Sequence, residues 1–354
     1  MRAVLVLAAA LLVSVCVTAS DLSRHDAGGT TADTDAPRRL SETGLYAPGR
    51  PTVIARDVRR FSPQYPLWSD GAAKTRWVYL PPGATIDARD PTAWQMPVGT
   101  RFWKQFDFNG RKVETRMLWR AARDRWVFAS YQWNADGMDA TLVPADGVFG
   151  AADIVPGKQH TIPSVSDCGA CHGSQRPGPL GFNALQLSPD RDPNAIHGEP
   201  LTPDMVTLRT LADEGRFGSA GAVLATDLPR IKTDDPQTRA ALGYLVANCG
   251  GCHNGRGEIA ALGPTLKYDD LLADGDRVAR ALVGQPTKWQ VPGMPDGQSV
   301  VIHPQTIDKS ALLVRMRSRS PLSQMPPLGT VVRDTAAVEV ITAWAASLAR
   351  QSHR

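Results

Sequence analysis

Two copies of one five-residue pattern constrain this chain more than anything else in it: Cys168-Gly169-Ala170-Cys171-His172 and Cys249-Gly250-Gly251-Cys252-His253. Two thiols three positions apart followed directly by an imidazole is the spacing that covalent haem attachment requires. Each cysteine adds to one vinyl group of the macrocycle, and the histidine becomes the proximal ligand to iron. Of the five cysteines, four are used by these motifs and the fifth, Cys16, lies in the apolar N-terminal run. A zinc site or a dithiol redox pair would also use a Cys-x-x-Cys core. A redox dithiol does not call for His at the next position in both copies, and a zinc site built from all four thiolates leaves His172 and His253 unexplained. The motifs therefore predict two covalently attached c-type haems.

Met1-Arg2, the apolar run Ala3 to Val17 and then Val17-Thr18-Ala19 have the three parts of a secretory signal peptide, with cleavage expected after Ala19. The run is shorter than the ~20 residues of a spanning helix, and Val15 is larger than the small residue preferred before a lipidated cysteine such as Cys16. A periplasmic or secreted protein is predicted, with no transmembrane segment in the mature chain. Residues 20–39 hold almost no bulky apolar side chain and read as a disordered tether. The rest of the chain, roughly 315 residues, suggests two or three domains. The formal net charge of +4 is too mild and too dispersed for a nucleic-acid partner.

From 40 to 150 the texture is that of β-structure. Runs 102–108 and 112–119 flank Asn109-Gly110, which suits a tight hairpin turn. Run 125–133 comes next, and Trp77-Val78-Tyr79-Leu80 is a fourth strand. Seven of the nine tryptophans sit here; large aromatics on strands read as the core of a sandwich or barrel rather than as a ligand platform. Asp70, Lys74 and Arg76 read as an ordinary surface ion pair rather than a polar site.

Residues 151–235 form a first haem-binding segment. Pro156 and Pro163 exclude a continuous helix leading into Cys168, so the first motif is expected on irregular chain. Helix is expected to resume at Thr202-Pro203-Asp204, with Thr202 as cap, and to stop at Gly215. In residues 236–354 the second motif is approached differently. Asp235-Pro236 opens a helix whose Ala241, Leu242, Leu245 and Val246 recur at helical steps up to Asn248-Cys249, and a last helix from about Asp334 puts Val338, Ile341, Ala345 and Leu348 on one face. The fold class predicted is α+β: a β-rich N-terminal domain followed by a mainly helical region carrying both haem motifs.

From about 236 to 350 the chain resembles the small class I cytochrome c family, in its haem motif, in Gly263-Pro264 and in Gln324-Met325-Pro326-Pro327-Leu328-Gly329. The resemblance implies that Met325 is the second axial ligand opposite His253, a soft thioether that raises the reduction potential. Met294 is the rival. It also implies that the carbonyl of Pro264 accepts the ring N–H of His253. As a whole the mature chain is similar to bacterial dihaem c-type cytochromes with a β-rich N-terminal domain, in Tyr65-Pro66-Leu67-Trp68-Ser69-Asp70-Gly71, Pro97-Val98-Gly99-Thr100 and Ile162-Pro163-Ser164.

Three functions fit. The first is electron transfer between two six-coordinate haems and a periplasmic or membrane-bound redox partner. The second is a dihaem oxidoreductase of peroxidase-like or thiosulfate-oxidising type, with one open-coordinate haem. The third is a ligand-binding module with haems attached. The sixth ligand of the first haem separates them. His25 and His353 are set aside by position, His303 in the second haem domain reads rather as a packing or surface residue, Met205 is the thioether option, and His160 or His197 is expected to complete a bis-His, low-potential haem without peroxidase activity.

Overall fold

Asn109 and Gly110 both have positive φ, 51° and 75°, and make the two-residue turn expected between strands β5 (Arg101–Phe108) and β6 (Arg111–Ala122). In this computed structural model the described residues are 35–351 apart from 91–92, 173–177, 221–223, 225 and 256–262. The expected signal peptide at 1–19, Cys16, His25, His353 and the tether as far as 34 lie outside them. The hairpin is the centre of a six-stranded antiparallel meander that also contains β3 (Val58–Arg60), β4 (Ala73–Tyr79), β7 (Arg125–Trp133) and β8 (Ala140–Leu142). All the runs expected as strands are in it. Two small hairpins flank it, β1 (Tyr46–Ala47) with β2 (Arg50–Ile54) and β9 (Val148–Val155) with β10 (Lys158–Ile162).

The sheet is open, with β3 and β8 as its edges, and so is not the barrel offered as one alternative. Period-two alternation gives it two apolar faces. On one, Trp77, Trp103, Met117 and Ala129 stand opposite one another across four strands and pack with Leu40, Leu45 and Trp133. On the other, Val78 and Phe102 pack with Phe182, Leu208, Leu211 and Phe217 from beyond the β-region. The expected tether is corrected at its end. The Arg38 carbonyl takes the N–H of Leu142 on edge strand β8, the Pro37 carbonyl takes the Tyr131 hydroxyl, and Ala36 is buried. An unpaired edge has donors to spare, and residues 36–39 use them.

Among the described residues six α-helices come after the sheet: α1 (Val165–His172), α2 (Leu208–Asp213), α3 (Pro236–Asn248), α4 (Tyr268–Ala281), α5 (Ala311–Arg317) and α6 (Thr335–Gln351). The chain is thus α+β, and no helix among the described residues is long and apolar enough to cross a membrane. Helices α3 and α6 begin where expected, Asp235 capping the first through the amides of Gln237 and Thr238. Two expectations are corrected. The first motif lies on helix α1, not on irregular chain: Pro163 bars helix only upstream, and Ser164 and Asp167 then form a reciprocal capping box, each side chain accepting the other's backbone N–H. Helix α2 begins after Thr207, not Thr202, because the amide of Val206 is drawn off to the carbonyl of Arg60 on β3 at 2.7 Å.

The helical core joins the β-region through Tyr65, which packs among α3, α4 and α6. A Cβ added at Gly243 on α3 would stand 2.1 Å from the Tyr65 ring. Gly243→Ala is therefore expected to cost about 1–3 kcal/mol by overpacking. Gly169→Ala, on helix α1 with open space around it, is expected to cost nothing. Thermal unfolding of the two variants checks the contrast.

Candidate functional site

Helix geometry puts Cys168, Cys171 and His172 on one face of α1, since residues three and four apart share a face. The second motif continues the last turn of α3: the amides of Cys252 and His253 both donate to the carbonyl of Cys249, at 3.1 and 2.8 Å. All six residues line a single cavity of about 1270 Å³, which also reaches Pro264, Met325 and His160. That exceeds the ~300–1,000 Å³ of a site for one small molecule. Inside it burial raises the Cys171 thiol, and the charge of Cys252 raises it further.

The two histidines are held alike. His172 donates Nδ1–H to the carbonyl of Gly178 at 2.9 Å. Burial pulls its pKa down to about 4 against that bond, so the ring is neutral and Nε2 keeps its lone pair. His253 bonds the backbone of Pro264, which has no N–H and so accepts through its carbonyl. Burial first, and then Arg315, lower the His253 pKa. A Cβ at Gly263 would come within 2.8 Å of the His253 ring, so only glycine leaves that imidazole its place.

The thiols are held protonated. Burial pushes Cys168 up to about 11 and Cys249, with help from Cys252, up to about 12. Redox-active Cys-x-x-Cys pairs carry the opposite shift. Among the described residues no three of His, Cys, Asp and Glu converge as a metal-ion site. Protonated thiols three apart, a neutral imidazole beside them and a cavity larger than one small-molecule site fit a tetrapyrrole joined through thioethers.

The remaining expected ligands are spread out. Met325 is half-buried on the cavity, on a loop stapled by Gln324, whose Nε2 donates to the carbonyls of Pro326, Pro327 and Thr330. Met294 and Met205 do not line the cavity. His160, on β10, does, but its Nε2 is 2.8 Å from Glu114 Oε2 and its ring lies against Phe108. Burial would raise Glu114, yet Arg116 and the hydrogen bond from His160 outweigh it and hold the carboxylate at about 2. His197 stands away from the cavity, its Nε2 on Asp334 at 2.9 Å and its ring against Trp68. His303 accepts the amides of Gln305 and Thr306.

Asp70 and Arg76 are buried, not a surface ion pair. The Asp70 carboxylate accepts the amides of Val331 and Val332 at 2.9 and 2.8 Å. Trp68 donates Nε1–H to the Val332 carbonyl at 3.1 Å, and its backbone N–H to the side chain of Asn248, next to Cys249. One short stretch of the β-region thereby holds the chain leaving the Met325 loop and the helix end carrying the second motif. Its composition marked Trp68 and Asp70 as polar and aromatic; what they hold lies about 180 to 260 residues away and left no local sign.

The chain matches no family profile, no curated protein and no solved structure.

Asp70→Ala leaves two amides without their acceptor and is expected to cost about 1–3 kcal/mol. Hydrogen exchange at Val331 and Val332 should accelerate. Asp70→Asn, which keeps an acceptor oxygen, should lose less.

Proposed function

We propose that the protein is an exported dihaem c-type cytochrome that passes electrons between two covalently held haems and a redox partner in the periplasm or at its membrane. The observation that carries the reading is the shared arrangement of His172 and His253. Each follows a Cys-x-x-Cys directly, each gives a ring N–H to a backbone carbonyl, and both line one cavity. A histidine anchored through one nitrogen presents the other to a metal in a set orientation.

Haem bound at each motif supplies a one-electron iron couple. The chain's part is to hold, orient and desolvate. Cys168 and Cys171 would anchor one haem and Cys249 and Cys252 the other, with His172 and His253 as the histidines that would hold iron. Both anchor pairs line one cavity. Met325, on the same cavity as His253, would supply the thioether that helps hold that haem, in a helical region of class I cytochrome c type running from α3 to α6. Pro326 and Pro327 stiffen its loop, and the Trp68 and Asp70 contacts fix where it leaves the site. For the first haem His160 is the candidate further holding residue on the cavity, and its Nε2 would have to leave Glu114 to serve. That carboxylate bond favours a second reading, a dihaem oxidoreductase whose first haem keeps an open position.

Denatured mature protein is expected to keep a mass increment of two haems, and Cys249→Ala with Cys252→Ala to lose one of them. Zinc, or no covalent haem, in protein made with haem attachment intact would end the reading. Met325→Ala should turn the second haem high-spin and lower its potential while Met294→Ala changes neither, read by optical and EPR spectra and redox titration. Rapid cyanide binding by a high-spin first haem in the wild type would select the oxidoreductase.

A further inference from the structure

The cavity-facing side of the sheet carries a row of cations in direct cross-strand register. Arg76 on β4 pairs with Lys104 on β5, and Lys104 pairs with Arg116 on β6. All three line the cavity. Like charges directly opposite across strands repel, and a low dielectric enlarges the cost. Two carboxylates answer three cations. Glu114 takes Arg116 at 2.6 Å and is also held by His160. Glu199 stands 3.6 Å from Arg76, too far for a hydrogen bond, and both terminal nitrogens of Arg76 are buried with no hydrogen-bond partner. Among the described residues no carboxylate pairs with the Lys104 amino group, which burial lowers well below the usual lysine range; it stands 4.7 Å over the Phe106 ring. Lys74, in the next row, donates to the Leu67 carbonyl at 2.7 Å and adds positive charge.

Folding does not require this arrangement. A sheet face that packs on apolar groups in its neighbouring row, Val78, Phe102, Leu118 and Phe128, would be more stable with apolar residues here too. Donors without a hydrogen-bond partner among the described residues, on the wall of a cavity, are what an anionic ligand needs, because it satisfies them when it binds.

We propose that Arg76 and Lys104, backed by Arg116, form a carboxylate- or oxyanion-binding row in the cavity. The shared chemistry is a group with two or more anionic oxygens, taken by the Arg76 fork and the Lys104 ammonium. It has two sources: the carboxylate arms of a haem attached beside it, or a small diffusible anion that reaches the same wall. The first source rests on the dihaem reading. The row itself does not.

The test uses purified full-length protein, wild type and Lys104→Met, with Arg76→Gln read in the same way if the first does not fold and Lys104→Arg as the charge-keeping control. Haem content by mass is measured first and reports on the dihaem reading separately. One arm records the resonance Raman band of propionate bending. The other titrates acetate, succinate and thiosulfate calorimetrically. A band shifted in Lys104→Met and restored in Lys104→Arg, with no anion titration, assigns the row to the cofactor's carboxylates. Wild-type anion binding weakened about tenfold or more by Lys104→Met assigns it to a diffusible anion. In protein lacking haem the titration arm alone decides. A band that does not respond together with no anion binding in the wild type would overturn the proposal.

Discussion

The clasp formed by Trp68 and Asp70 is the contact on which the rest of the arrangement depends. A six-stranded sheet and a helical unit can pack on each other in many ways if only apolar surface decides, since burial is non-directional. Hydrogen bonds are directional. Two backbone amides given to one carboxylate, an indole N–H given to a carbonyl and a backbone N–H given to Asn248 hold one particular docking. Tyr65, just upstream, fills the space that Gly243 leaves on α3. The same few residues therefore position the end of the helix bearing Cys249 and the exit from the Met325 loop.

The cavity that results is chemically uneven, and burial explains the unevenness. Where no countercharge is supplied, burial favours neutral forms: the four thiols rise and the two motif histidines fall. Where a countercharge is supplied, charge survives, as in Glu114 between Arg116 and His160. Burial lowers Lys104 well below the usual lysine range and lowers Arg76 too, with only Glu199 at 3.6 Å to support the latter. Strand register brings both to the cavity wall, and their logic is that of a binding wall rather than of a core.

Much of the fold was legible because its signals are local. The hairpin at Asn109-Gly110, the Asp235 cap with Pro236 after it, and the apolar face of α6 each express a preference of a few adjacent residues. Where the structure departs from expectation, the causes are physical and specific. Ser164 and Asp167 make a capping box directly after Pro163, so proline marks the start of helix α1 rather than its absence. At Thr202 a local cap lost to a long-range bond, the Val206 amide going to Arg60 on the sheet edge.

By itself the sequence determined two pairs of thiols at a fixed spacing, each with its histidine, which follow from covalent order alone. It also carried the strand order, because a meander of hairpins pairs neighbours in the chain. Tertiary structure decided the rest. That both motifs open into one cavity, that His160 and not His197 reaches it, and that Arg76, Lys104 and Arg116 fall in one row depend on register and docking. These are set by contacts between residues far apart in the chain, and no short stretch encodes them.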